Sequence, residues 1–168
     1  MNARPTADLE DPFGSLTDWG PVVDQLRALE AGRRLGTCQP GLIRILRYKG
    51  NWRLREETLK RVGKIEAPSA DLILQVLSIL ADDNLYFDAR ILAGDALTGL
   101  LGHTRDGLRG HMKTAVRKVV TRLMTSPQPP RLLEALKTLG PVVDLPPECA
   151  AVPSGGRIDG QELHHDAR

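Results

Sequence analysis

Arg105, Arg109, Lys113 and Arg117 follow one another at intervals of four residues. On a helix that spacing makes a basic stripe about 18 Å long. It offers no bond-making chemistry, but it can attract a phosphate backbone or an acidic patch on another protein. The bland reading of the same residues is a solvated helix edge. A second basic block, residues 41 to 64, holds eight Arg or Lys against two Glu and includes Trp52 and Arg53. Trp52 and Tyr48 could stack on bases there, although hairpin packing is the commoner use of such rings. We take Arg105, Arg109, Lys113, Arg117, Trp52 and Arg53 as candidate partner-binding residues.

Catalytic groupings are missing from the sequence. The four histidines have no metal-ligand spacing: His103 and His111 straddle a helix start, and His164 and His165 are adjacent in a tail. We find no glycine-rich phosphate loop, nucleophile elbow or paired catalytic carboxylates. The reading is therefore a non-enzyme with no cofactor and no metal. Cys38 and Cys149 are too far apart and too few for a disulfide scaffold. The first fifteen residues have no apolar core of the kind a secretory signal carries, and no apolar run is long enough to cross a bilayer. We expect a cytoplasmic protein with no membrane contact.

The elements that must carry these residues are helices. The 168 residues are 41% hydrophobic, 26% charged and 4% aromatic, with a formal charge of +2. That balance suits one helical domain built from Leu, Ile, Val and Ala. Charge comes in blocks: after 41 to 64, residues 66 to 104 hold six acidic side chains against one Arg, and residues 105 to 122 hold six basic ones against one Asp. Apolar residues recur at helical spacing from Pro21 to Gly32, from Pro40 to Gly50 and from Asn51 to Ile65. They do so again after Ser69, from Ala89 to Leu100, over 106 to 124 with Leu108, Met112, Val116, Val119 and Leu123 inward, and after Pro129 and Pro130 up to Gly140. Asn51 and Ser69 suit N-caps. We expect a disordered segment over 1–15, a helical domain over 16–140 and an extended or disordered tail over 141–168. The pentapeptide GPVVD occurs twice, at 20–24 and at 140–144.

The helices repeat. NWRLREETLKRVGKI, residues 51 to 65, superposes at an offset of 35 residues on DARILAGDALTGL, with Leu54 on Ala89, Arg55 on Arg90, Thr58 on Ala93, Val62 on Leu97 and Ile65 on Leu100. A period of this size marks stacked helical hairpins. Residues 51–65 resemble the first helix of a HEAT repeat of the bacterial, HEAT-like or phycobilin-lyase type. Leu54-Arg55 stand for the usual Val-Arg, and Val62-Gly63-Lys64-Ile65 for the usual Leu-Gly-x-Leu. The second copy has Thr98 where that glycine belongs. The resemblance implies an all-α fold, a short α-solenoid of about seven helices, with Arg55 and Arg90 as structural residues between neighbouring repeats. The absence of catalytic groupings together with the segregated charge blocks leads us to expect an adaptor, scaffold or inhibitor that binds another protein, and the basic stripe points to an acidic patch on that partner.

A second branch of the repeat family, the DNA glycosylases, grips DNA in a basic groove. That branch would use Asp88 or Asp95 as its carboxylate; the alternative of nucleic-acid binding rests on the basic residues of 41–64 and 105–122 themselves. The chain is short for that branch and poor in aromatics. Whether the two basic blocks face one groove separates the readings.

Overall fold

A computed structural model describes residues 11–146. Its seven helices are α1 (Trp19–Ala31), α2 (Gln39–Arg47), α3 (Trp52–Val62), α4 (Ala70–Ala81), α5 (Phe87–His103), α6 (Asp106–Met124) and α7 (Pro130–Val142), with a short 3-10 turn at Leu35–Cys38 before α2. No strand occurs among the described residues. Local chemistry starts several of these helices. The Asn51 side chain accepts the Arg53 N–H at 2.9 Å and the Ser69 hydroxyl accepts the Leu72 N–H at 3.2 Å, each satisfying a donor that the first turn cannot. Pro130 opens α7, where a missing N–H costs nothing.

The helices form two layers. In one, α1 packs on α3, α3 on α5 and α5 on α7; in the other, α2 packs on α4 and α4 on α6. Hairpins α2/α3, α4/α5 and α6/α7 tie the layers together. Each hairpin covers its apolar face with its neighbours, so the stack is a short helical solenoid. The repeat is phased differently from the resemblance: α3 packs on α2, so residues 51–65 form the second helix of their hairpin. The four residues between α2 and α3 fold those helices back on one another, whereas seven residues separate α3 from α4.

Helix α5 is the central element. It buries Ala89, Ala93, Ala96, Leu97, Leu100 and Leu101 against α3, α4, α6 and α7, and leaves Asp88 and Asp95 exposed. Where α3 meets α5 the backbones touch. A Cβ on Gly99 would lie 2.9 Å from the carbonyl carbon of Gly63 and 3.0 Å from its Cα. Thr98, the counterpart of Gly63 in the 35-residue repeat, is thus followed directly by the glycine that the close approach needs.

Three expectations need correction. Residues 1–10 lie outside the described residues, but 11–15 are not a loose leader: Phe13 is 4% exposed, and its ring lies where a side chain at Gly41 would otherwise sit. Arg44 fastens the segment through Asp11 at 2.9 Å and the Gly14 carbonyl at 2.9 Å. The helical domain also runs past 140, since α7 ends at Val142 and Val143 is fully buried; residues 147–168 lie outside the described region. In α6 the inward face is Met112, Val116, Val120 and Leu123, leaving Leu108 and Val119 half-buried.

Candidate functional site

Three of the four stripe residues are already engaged within the chain. Arg109 donates from Nε to the Thr104 carbonyl at 3.0 Å and from Nη2 to the Gly102 carbonyl at 3.3 Å, closing the end of α5. Lys113 pairs with Asp144 at 3.1 Å, and Arg117 donates to the Val143 carbonyl at 2.7 Å, closing the end of α7. Helix C-termini carry unsatisfied carbonyls and a partial negative charge, which is what Arg109 and Arg117 meet, whereas Lys113 meets a carboxylate. Arg105 is exposed and has no ion pair among the described residues.

Arg109 belongs instead with Arg55 and Arg90. All three are the fourth residue of their helix, and all reach back across a helix-to-helix turn. Arg55 donates to the carbonyls of Leu46 (3.3 Å) and Tyr48 (3.2 Å) at the end of α2. Arg90 donates to the Leu80 carbonyl at 3.1 Å and to Asp83 at 2.8 Å, and Asp83 also receives Arg122 at 3.2 Å. Arg55 and Arg90 are buried, and every N–H named here has a carbonyl or carboxylate partner. The signal that could have found Arg109 is its offset from the helix start, which the four-residue stripe obscured.

The remaining two candidates sit elsewhere. Trp52 is the first residue of α3, as Trp19 is of α1 and Phe87 is of α5, and Tyr86 immediately precedes Phe87. These helices run parallel in one layer, so their N-termini line one edge. Trp19, Trp52, Tyr86 and Phe87 are 37% to 52% exposed there, four of the six aromatic residues in the chain. The rings are ordered by one another. Trp52 and Tyr86 meet edge to face at 6.3 Å, and the Arg53 guanidinium lies 5.3 Å from the Trp52 ring and 6.0 Å from the Trp19 ring. The stripe on α6 reaches the C-terminal ends of α5 and α7, on the opposite edge, so the six candidates do not form one site.

Beneath the aromatic edge, α3, α5 and α7 enclose a groove of about 550 Å³ lined by Glu56, Lys60, Asp88, Leu92, Asp95 and Glu134 among others. A smaller hollow of about 280 Å³ between Trp19 and Trp52 shares Glu56 and Lys60 with it, which makes the surface continuous. Glu56, Asp88 and Asp95 have no ion pair among the described residues, whereas Glu134 meets Lys137 at 3.1 Å. Desolvation raises the Asp95 pKa above its ordinary value. Burial also raises that of Tyr86, and the nearby Glu56 carboxylate adds to the effect.

The basic residues of 41–64 do not join the stripe in a common groove. Six of the eight lie on α2 and α3, in different layers, and Lys49 and Lys64 lie in the turns beside them. Arg44 is bound to Asp11, Arg47 to Gln75 at 2.8 Å, Arg61 to Glu57 at 2.8 Å and to Glu30 at 3.0 Å, and Lys64 to Glu30. Among the described residues no helix is long and apolar enough to cross a membrane, and no three His, Cys, Asp or Glu side chains converge as a metal site would require. No family model, no curated protein and no solved structure matches the chain.

Proposed function

We propose that the chain is a non-enzymatic protein-protein interaction module, an adaptor, scaffold or inhibitor of HEAT-like build, which binds its partner along the aromatic edge and the groove beneath it. The observation that carries this reading is the row of Trp19, Trp52, Tyr86 and Phe87. A chain with six aromatic residues leaves four of them half in solvent on one edge, and such rings dominate binding energy at interfaces. The reading retains Trp52 and Arg53 as binding residues and assigns Arg109, Lys113 and Arg117 to closing helix ends. With Arg109, Lys113 and Arg117 engaged within the chain, the stripe gives no support to an acidic patch on the partner. Nucleic-acid binding is the weaker reading, because the basic blocks are split between layers and mostly paired. A cytoplasmic, reducing setting suits the buried free thiol of Cys38.

The test compares variants in capture of partner from extracts of the native host. Trp52→Ala with Phe87→Ala should abolish capture while the helical content is unchanged, and Arg105→Ala with Lys118→Ala should leave it intact. The reverse pattern would overturn the assignment. Titration against duplex and single-stranded DNA at moderate salt addresses the other reading. Binding tighter than about 1 μM with a steep salt slope would favour nucleic acid.

A further inference from the structure

We infer that the segment received by this surface is basic and apolar, a stretch of another protein in which Lys or Arg alternates with aliphatic side chains. The inference rests on the protein-binding reading above and names the chemistry of the partner. Two features of the surface lead to it.

The first is the disposition of rings and charge. Aromatic faces are negative at their centres and attract cations. The chain demonstrates the fit internally, since the Arg53 guanidinium lies within 6.0 Å of the ring centroids of both Trp19 and Trp52. The Phe87 ring likewise has the Arg90 guanidinium 5.8 Å from its centroid, and the Trp52, Tyr86 and Phe87 rings nevertheless stay half exposed. The groove that continues from them carries the carboxylates Glu56, Asp88 and Asp95, which have no ion pair among the described residues, and Glu134, which is paired with Lys137; of its cations, Lys60 is paired with Glu57, leaving Arg131. A nucleic acid or an acidic segment laid along it would meet an excess of like charge, whereas a basic segment would meet its complement.

The second is the floor. Between the carboxylates lie Ile91, Leu92 and Ala135, so the groove is apolar at its base and acidic on its walls. Asp95 is partly desolvated and has no cation among the described residues to offset that cost. A Lys or Arg from the partner would supply it, with its own methylene stem lying on Leu92. The apolar floor requires aliphatic residues in the same segment, which distinguishes it from a simple polycation.

The experiment selects short random peptides displayed on phage against the immobilised full-length chain. The recovered peptides are then synthesised and measured by fluorescence anisotropy against the wild type, Trp52→Ala/Phe87→Ala and Asp88→Asn/Asp95→Asn, each checked for helical content. The recovered peptides should be net positive and contain aliphatic residues. Each double variant should weaken them by about tenfold or more, and added salt should weaken them further. Peptides that need Trp52 and Phe87 but show no basic excess, or ignore Asp88 and Asp95, overturn the inference and leave the binding surface standing. Peptides indifferent to Trp52 and Phe87, or no enrichment at all, overturn both. Self-association of the chain that is lost in Trp52→Ala/Phe87→Ala would identify a second copy as the occupant and likewise overturn the inference.

Discussion

The Arg53 guanidinium lies 5.3 Å from the ring centroid of Trp52, near the top of α3, and both side chains are open to solvent. An exposed pair of this kind holds the indole in place more than it holds the fold together. Arg53→Ala should therefore cost no more than about 1 kcal/mol in urea unfolding, and should make the tryptophans easier to quench by acrylamide. A loss above about 2 kcal/mol would mean that Arg53 is a packing residue.

The buried struts should behave very differently. Arg90→Ala strips the Leu80 carbonyl and Asp83 of a charged donor inside the turn between α4 and α5, so a loss of about 2–4 kcal/mol is expected. Arg90→Lys should recover little of it, because one ammonium cannot reproduce the planar fork that meets both acceptors. Arg105→Ala, on an exposed side chain with no ion pair, should fall within about 0.5 kcal/mol of the wild type. Equal effects at both positions would refute the distinction between struts and free surface charge.

Glycines in the helices divide by what surrounds them. A Cβ at Gly99 collides with the Gly63 backbone, while one at Gly110 meets nothing within 4 Å. Gly99→Ala should destabilise by about 1–3 kcal/mol despite the better helix propensity of alanine, and Gly110→Ala should stabilise by up to about 1 kcal/mol. Thermal melts of the two variants on either side of the wild type would support the close crossing of α3 and α5.

Acid should loosen the N-terminal attachment. The hydrogen bond from Arg44 holds Asp11 below its ordinary 3.8, and the hydrogen bond from Lys64 holds Glu30 below its ordinary 4.5. Both pKa values are lower in the folded state, so their contribution is complete above those ordinary values and is lost as pH falls through the folded ones. Melting temperature should drop below about pH 4.5, less so in Asp11→Asn, which begins from a lower stability. Asp95 has the opposite sign, since burial raises its pKa. Asp95→Asn should raise the melting temperature at pH 7 and lose that advantage in acid. A flat profile for wild type between pH 5 and 3 would contradict this assignment.

How much of this was legible follows from which forces are local. Asn51 and Ser69 could be read as caps because a capping side chain acts on its own helix, and the limits of α6 follow from an apolar period next to Pro127. GPVVD marks the other extreme: it begins inside the first turn of α1 at 20–24 and ends α7 at 140–144, so the same five residues serve two ends of a helix according to what packs on them. The intrachain partners of the stripe were out of reach of the sequence for the same reason. Asp144, which engages Lys113 and Arg117, stands 31 and 27 residues away, and the carbonyls that Arg109 and Arg117 meet lie at the ends of helices whose placement no spacing reveals. Phe13 was missed because its socket is the absent side chain of Gly41. The aromatic edge exists only because α1, α3 and α5 are parallel. Taken singly, each of its rings sits beside a capping residue or a turn and resembles ordinary hairpin packing.

The chain contains two tryptophans, so the surface can be watched through two indole N–H signals. Titrating the isotope-labelled full-length protein with a peptide recovered by the selection, and following its proton–nitrogen correlation spectrum, tests the central claim most directly. Both indole signals should shift, together with backbone amides of Asp88, Leu92 and Asp95, while amides around Arg109, Lys113 and Arg117 stay in place. Shifts confined to α6 with the two indoles unmoved would return the site to the basic stripe and contradict the account.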